Sequence, residues 1–483
     1  MHQPIPIRIH VAIPAMNEAA YLPATLKCLQ EQKAPGVEVH LWVCVNQPEH
    51  WWEDPEKKST CLNNRETLEL LSELQGPNLN LSDSHQPKHP PPNLHLQNLR
   101  PPNLHLIDRS SPGMGWTGKD HGVGMARKTL MDAIDLWCTQ DAAASVSAEG
   151  MSAEPTRISP AGKTPGAKQK KPTTTPDIIL SLDADTEFGP NYLASLASLF
   201  QKHPTMMGLS NPYYHKLTGE EALDRAMLRY EIYMRHYAIN MWRIGSPYSF
   251  TALGSAIALP IRAYRKIGGM TAKKSGEDFY LLQKLVKAGR IIQHNTEMVY
   301  PATRYSDRVF FGTGPALIKG SGGNWESYPV YDRQLFDQVE ATYRLFGELF
   351  DRDVDTPMDG FLRNQFCSGD VFGPLRRNAA TREQFIKACH QRIDGLRILQ
   401  FLKAAQAAVT YSDEKNLQNF IQSFYPEEFG LLSSSDGPVE PAPYDTLENL
   451  DFRRSSIAFL DYIRTLLLEK ESIYRKQDLQ MLG

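Results

Sequence analysis

No apolar run in this sequence approaches the roughly 20 residues that a membrane-spanning helix needs. The longest weakly polar stretch, about Phe250 to Ile261, falls well short. Met1–Arg8 lacks a basic start followed by an apolar segment, so no signal peptide is expected. An excess of one charge sign is also lacking: 52 Lys and Arg stand against 55 Asp and Glu, a formal net charge of −3. A non-specific nucleic-acid surface needs a clear basic excess, so no nucleic-acid partner is expected. Cysteine is scarce. Cys28, Cys44, Cys61, Cys138, Cys367 and Cys389 are widely spread and form no Cys-x-x-Cys pair. That excludes a disulfide scaffold and a zinc site of that type, and it fits a reducing compartment. The expected location is cytoplasmic, with peripheral contact at the inner face of the membrane left open.

The 483 residues allow two to four domains, or one large domain with insertions. Ile7–Ile13 is an apolar run that reads as a buried strand. A helix follows over about Ala19–Gln32, with Leu22, Leu26 and Leu29 on one face and Pro23 in its first turn. Val37–Val45 reads as a second buried strand, completing a βαβ unit of a parallel sheet. A helix is expected near Asn64–Leu74. Eight prolines then fall between Pro77 and Pro112, and Pro-Pro-Asn-Leu-His-Leu occurs at Pro91–Leu96 and again at Pro101–Leu106. This reads as an extended insertion whose second copy runs into a strand, Leu104–Ile107. Gly122–Trp137 carries Val123, Ala126, Leu130, Ile134 and Trp137 on one helical face. Thr139–Pro176 has no aromatic residue and is read as a disordered insertion. Further strands are expected at Ile178–Leu182, about Met206–Ser210 and Arg290–His294. Further helices are expected from near Pro190, over Gly219–Trp242 and over Glu277–Ala288. From about Trp325 the pattern is helical, broken by a loop at Ser433–Asp445.

Four segments at strand ends or helix starts carry chemistry. Ligands of open α/β sheets bind outside the carboxyl ends of strands. Pro14-Ala-Met-Asn17-Glu18 follows the first strand; Asn17 as a helix cap and Glu18 as a dipole complement is the plainer alternative. Asp183-x-Asp185 follows an apolar strand. Two carboxylates there can hold a divalent cation and the sugar of a nucleotide diphosphate, and hard oxygen ligands suit Mg²⁺ or Mn²⁺. A solvated acidic turn is the alternative. Gly276-Glu277-Asp278 opens a helix, where a carboxylate can accept a proton from a hydroxyl or simply complement the dipole. Arg304-Tyr-Ser-Asp-Arg308, leading to Gly312 and Gly314, offers two guanidiniums suited to a diphosphate. An exposed loop with solvated arginines is its alternative.

In order, these segments resemble the family 2 glycosyltransferases. The matching pieces are Val11–Glu18, Gly124-Met-Ala-Arg127-Lys, Ile179–Thr186 with Pro190-Asn-Tyr192, Gly254-Ser255, Ile267-Gly-Gly-Met270, and Gly276–Leu282. The resemblance spans about residues 5–320, apart from insertions at about 47–103 and 139–176; a helical region, 325–483, follows. It implies an α/β fold of GT-A type, a mixed, mostly parallel Rossmann-like sheet flanked by helices. It also implies a nucleotide-diphosphate sugar as donor, a saccharide or lipid-linked acceptor, and Mg²⁺ or Mn²⁺ as cofactor. Pro14, Asn17 and Glu18 would line the nucleotide pocket, and Arg127 would sit near the base or ribose. Asp183 would contact the ribose or sugar, and Asp185 would coordinate the metal. Asp278 would be the catalytic base, Glu277 would orient the acceptor, and Arg304 and Arg308 would close over the diphosphate. The sequence departs from the family after the second strand. Many members carry an acidic pair there that reads base and ribose, whereas this chain has Cys44-Val-Asn46-Gln47, so Asn46 offers an uncharged amide.

The implied mechanism is a single displacement with inversion at the anomeric carbon. A retaining transferase, and a non-catalytic nucleotide-sugar-binding scaffold on the same fold, are the alternatives. The amphipathic stretches Leu335–Phe350 and Ile457–Leu468 lack the basic face that anionic membranes attract.

Overall fold

Every residue of the first strand except Arg8 is buried, as a strand covered by helices on both faces requires. The computed structural model describes residues 7–75, 103–119, 121–151, 176–307, 312–433 and 443–481. In chain order the first elements are β1 (Ile7–Ala15), α1 (Leu22–Gln30), β2 (Val37–Asn46), α2 (Lys58–Gln75), β3 (Leu104–Arg109), α3 (Val123–Met151) and β4 (Asp177–Ser181). Next come β5 (Thr186–Phe188), α4 (Tyr192–Lys202), β6 (Leu209–Ser210), α5 (Glu221–Arg243), β7 (Ile257–Pro260), α6 (Ile261–Lys266), α7 (Glu277–Ala288) and β8 (Val299–Pro301). The remainder is helical: α8 (Thr313–Ser321), α9 (Arg333–Arg344), α10 (Phe346–Asp351), α11 (Asp359–Phe366), α12 (Gly373–Asn378), α13 (Arg382–Arg392), α14 (Gly395–Gln406), α15 (Asp413–Phe424), α16 (Pro426–Ser433) and α17 (Ile457–Gln480). Among these, no helix is long and apolar enough to cross a membrane.

The chain divides into two units. The first comprises Met1–Tyr214, Leu253–Asp278 and Asn295–Pro301; the second comprises His215–Ala252, Phe279–His294 and Ala302–Gly483.

The first unit holds a six-stranded mixed sheet in the order β3-β2-β1-β4-β7-β6, and a two-stranded ladder, β5-β8. β3, β2, β1 and β4 run parallel; β7 and β6 pair antiparallel. The chain leaves β1 toward β2 and β3, then returns to the other side of β1 as β4. That reversal is a switch point, where α/β sheets open a crevice. α3 packs over β1, β2 and β4, and α4 packs against β1 and β2. Under α3, His10, His40, Trp42 and His105 meet Trp137, with Trp42 stacked on His105 at 3.8 Å between centroids.

The second unit is helical. α17 lies along α5, and Leu228, Ile232 and Ile239 of α5 share a buried core with Leu460, Ile463 and Leu467. Charges are buried between the two helices as well. Arg235 donates to Glu231 (3.0 Å) and Glu471 (2.6 Å), and Arg475 donates to Glu471 (2.8 Å). Arg464 reaches Glu231 at 3.4 Å and the carbonyl of His215 at 2.7 Å. Ser456 caps α17 by accepting from the Phe459 N–H.

Two local expectations differ from the structure. Arg290–His294 forms no strand. Ile291 and Ile292 are buried, but the Gln293 carbonyl accepts from Arg475 (2.6 Å) rather than from a neighbouring strand; the strand in this stretch is β8. α3 continues past Trp137 to Met151, into the segment read as disordered. Thr139 bonds back to the Asp135 carbonyl (2.8 Å), and Asp141 pairs with Arg8 (2.5 Å), so this turn has both helical and tertiary support. Residues 152–175 and most of the proline-rich insertion lie outside the described residues.

Candidate active site

Parallel register brings the carboxyl ends of β1 to β4 to one edge, with Ala15 opposite Val45 and Asn46 opposite Arg109. β7 is antiparallel, so the turn before it, Gly254–Ala256, starts at the same edge.

Arg127 of α3 is the centre of this edge and is only 3% exposed. Its Nε donates to Glu277 (3.1 Å), one Nη to the Gly254 carbonyl (2.7 Å) and to Ser181 Oγ, and the other Nη to Asp183 Oδ1. One side chain therefore ties the end of β4, the Asp183-x-Asp185 turn, the Gly254 turn and the start of α7. Burial opposes its charge, but Asp183, Glu277 and Asp278 outweigh burial and raise its pKa further. Burial pushes the Glu277 carboxyl up, against the pull of Arg127.

Two glycines make this packing possible. A Cβ on Gly254 would lie 2.1 Å from an Arg127 Nη, and one on Gly124 would lie 1.9 Å from the Lys273 carbonyl oxygen. A side chain at Gly124 would have to move backbone, and one at Gly254 would have to displace the Arg127 guanidinium.

The loop after β1 is held from α2. The Asn17 N–H donates to Asn64 Oδ1 (2.8 Å), and the Ala19 N–H donates to Asn63 Oδ1 (3.1 Å). Asn17 has φ +61°, a left-handed conformation that Asn tolerates better than most residues. It does not cap α1, whose N-cap is Tyr21 without a side-chain bond. Glu18 is 3% exposed, and its carbonyl accepts from Tyr21 and Leu22. Pro14 lies in β1 opposite Cys44. The buried Asn46 donates from Nδ2 to the Ala15 carbonyl (3.0 Å) and accepts from Trp116 Nε1 (3.5 Å).

Pro14, Asn17, Glu18, Asn46, Arg127, Asp183, Asp185, Glu277 and Asp278 therefore all belong to the first unit. Glu277 is buried in the Arg127 cluster, while Asp183 keeps 35% of its side chain exposed. Arg304 belongs to the second unit, and Arg308 lies outside the described residues. Sequence reasoning missed Ser181, the Gly254 carbonyl, Asn63 and Asn64 as parts of this edge. Each acts through hydrogen bonds to a distant segment, three of them in the case of Asn64, and sequence spacing does not show such bonds.

Among the described residues, one other group could hold a metal by spacing alone. His10, Cys138 and Asp177 offer ligand atoms within 4.8 Å of one another. Hydrogen bonding accounts for them without an ion. Trp42 Nε1 donates to His10 Nδ1 (3.3 Å), which leaves the proton on Nε2, facing Asp177 Oδ1 (3.0 Å). Asp177 also takes two bonds from Arg8, at 2.7 and 3.0 Å.

No family model matches the chain, and no curated protein matches it. Among solved structures, one match is TarS 1-349 of S. aureus in complex with UDP-GlcNAc, 12% identical over 98% of this chain and 92% of that one, with a TM-score of 0.34. Another is the mannosyltransferase PcManGT from Pyrobaculum calidifontis in complex with GDP-Man and Mn²⁺, 14% identical over 88% of this chain and 82% of that one, with a TM-score of 0.30. At these values the likeness assigns no residue.

Proposed function

We propose that the chain is a glycosyltransferase that moves a sugar from a nucleoside-diphosphate sugar to a hydroxyl of a saccharide or lipid-linked acceptor. The observation that carries this is the buried Arg127, which joins Asp183 of the Asp-x-Asp turn to Glu277 of the Glu277-Asp278 helix start. The two acidic motifs are thereby one construction at the switch point, where a ligand would lie across the strand ends.

In this reading Pro14, Asn17 and Glu18 line the nucleotide pocket, and Asp183 contacts the ribose or sugar. Asp278 takes the proton of the acceptor hydroxyl, whose oxygen attacks the anomeric carbon as the nucleoside diphosphate leaves. The sugar product is inverted. Glu277, buried against Arg127, is a positioning residue that holds the start of α7. The family resemblance assigns Arg304 and Arg308 to the diphosphate, and the variants Arg304→Ala and Arg308→Ala test that assignment.

The donor set fits a hard divalent cation. One guanidinium faces Asp183, Glu277 and Asp278, and all these donors are oxygens. Mg²⁺ is commonly held by one or two carboxylates, with substrate phosphates completing its shell. Asp185, with Asp183 beside it, would hold Mg²⁺ or Mn²⁺. When bound, such an ion supplies charge neutralisation at the leaving phosphate.

A thermal-shift panel with UDP, GDP, CDP and dTDP, each with and without Mn²⁺, tests the reading. A ligand at about 100 times its dissociation constant adds about 2.7 kcal/mol. A shift that needs the ion and disappears in Asp185→Ala supports it; well-folded protein with no shift for any nucleotide sinks it. The anomeric configuration of the product, read by NMR, separates inversion from retention.

A further inference from the structure

The long helix α5 has two faces. Leu228, Ile232, Arg235 and Ile239 meet α17. Tyr230, Tyr233 and Tyr237, at i, i+3 and i+7, lie half a turn away around the helix. These three rings face the segment that leads into α9. Tyr328 meets Tyr230 at 5.2 Å and Tyr233 at 5.7 Å between centroids. Tyr331 meets Tyr233 at 6.5 Å and Tyr237 at 6.3 Å. That segment is pinned by its backbone. The Val330 N–H donates to Asp413 (2.9 Å), the Val330 carbonyl accepts from Asn416 (2.9 Å), and the Asp332 N–H donates to Gln406 (3.1 Å).

The rings are well placed, but their hydroxyls lack partners. Tyr331 is fully buried, yet its hydroxyl makes no hydrogen bond. The Tyr343 hydroxyl, beside Ser246, is buried and unbonded as well. Tyr233 and Tyr237 are partly exposed, and neither hydroxyl bonds to a described residue. The four hydroxyls are close enough to act on one another. Burial pushes the Tyr331 pKa up, and Tyr233 and Tyr237 push it further; Tyr237 is raised in the same way by burial, Tyr233 and Tyr343. Each hydroxyl therefore keeps its proton and can both donate and accept. Tyr192 of α4 also buries an unbonded hydroxyl, but burial alone acts on it, with no second hydroxyl at hand. Phenylalanine would fill the α5 face without stranding a polar atom. Four tyrosines turned on one space, two of them reaching the surface, are a cost that a bound molecule would remove.

The surroundings narrow its chemistry. Arg229, beside Tyr233, is paired with Asp413 and lies over the rings of Trp325 and Phe452, at 5.0 and 4.6 Å. A phosphate or carboxylate ligand calls for an open guanidinium fork. A plain hydrocarbon chain would leave the hydroxyls unbonded. A sugar has an apolar C–H face for the rings and hydroxyls that both donate and accept. We propose that the tyrosine face of α5 is a binding site for a neutral saccharide, its rings against the sugar's C–H face and its hydroxyls bonded to the sugar's own. It rests on the proposed function only for its role there, as the place that holds the acceptor's sugar.

Saturation-transfer NMR on the full chain without nucleotide tests it. The probes are maltose, cellobiose, lactose and chitobiose at about 50 mM, which fills even a millimolar site. At least one should bind wild type. Tyr331→Phe removes an unbonded hydroxyl, so it should keep or raise the melting temperature. It should also weaken the bound sugar about tenfold, the worth of one hydrogen bond. Tyr237→Phe should weaken it similarly from the opposite wall. Folded wild type that binds none of the four, or an affinity unchanged in both variants, overturns the inference. A nucleotide shift in the thermal panel then leaves the donor reading standing. Sugar binding by a protein that binds no nucleotide keeps this site and sinks that reading.

Discussion

Both units bury arginine beside carboxylate, and the two clusters differ in charge balance. In the second unit, Arg235, Arg464 and Arg475 face Glu231 and Glu471, and none of the five is more than 2% exposed. Burial would raise the Glu231 pKa, yet Arg235, His215 and Arg464 hold it down to about 2. In the first unit, one arginine faces Asp183, Glu277 and Asp278, and Glu277 is pushed up. With Asp461 also paired to Arg464, the second unit's cluster matches its cations to its carboxylates and joins two helices. The cluster in which one arginine faces three carboxylates, with Asp183 reaching solvent, is the one we propose meets a ligand. Burial alone does not distinguish a structural ion network from a working one; charge balance and access do.

Breaking either cluster should have a different signature. The largest effect on stability is expected from Glu231→Ala, which takes from Arg235, Arg464 and His215 the buried carboxylate they share. Removing one member of a buried pair costs about 3–5 kcal/mol, read as a lowered urea midpoint, with nucleotide affinity of the folded fraction unchanged. Asp278→Ala should do the reverse if the proposed mechanism holds: with Asp278 as general base, turnover falls about 10²–10⁴-fold while the melting temperature holds. If both properties collapse together in either variant, the division between the clusters is wrong.

Gly254→Ala sits between these extremes. Forcing a methyl against Arg127 should cost about 1–3 kcal/mol and also weaken nucleotide binding, since Arg127 holds Asp183. Loss of stability with binding intact would show that Arg127 is mere packing. Acid should separate wild type from Glu231→Gln. The folded Glu231 pKa is depressed from 4.5 to about 2, so its contribution is complete above about pH 4.5 and fades as pH falls toward 2. The stability gap between the two proteins, followed by denaturation across that window, should close accordingly. The smallest effect is expected at Asn17. Its positive φ should make Asn17→Ala cost about 1–2 kcal/mol and Asn17→Gly nearly nothing. If both variants also lose donor affinity, the side chain touches the ligand as well.

Much of the first unit was legible because its strands are short, apolar and sharply bounded. Ile7–Ile13, Val37–Val45 and Ile178–Leu182 each coincide with a strand to within two residues at either end. The acidic motifs were legible as motifs, since Asp183-x-Asp185 and Glu277-Asp278 stand directly at a strand end and a helix start. What joins them was not. Arg127 draws on Ser181, Asp183, Gly254 and Glu277, segments more than 50 residues away, and only the closed sheet brings them together. Ile291 and Ile292 misled for a related reason: a short apolar run says that residues are buried, not whether a ladder or a distant arginine takes up the backbone. The interleaved second unit was hidden too, because amphipathic helices state that they have an apolar face and not which helix covers it.

The pairing of α17 with α5 has a consequence for how the protein is made. Arg235 and Glu471 are 236 residues apart in sequence. During translation, α5 leaves the ribosome with Leu228, Ile232 and Ile239 uncovered and with Glu231 and Arg235 lacking distant partners. They stay so until the segment around Ile457–Gln480 has been synthesised. Transiently exposed apolar surface of this kind favours aggregation, so the nascent chain has reason to depend on a holding chaperone until α17 arrives.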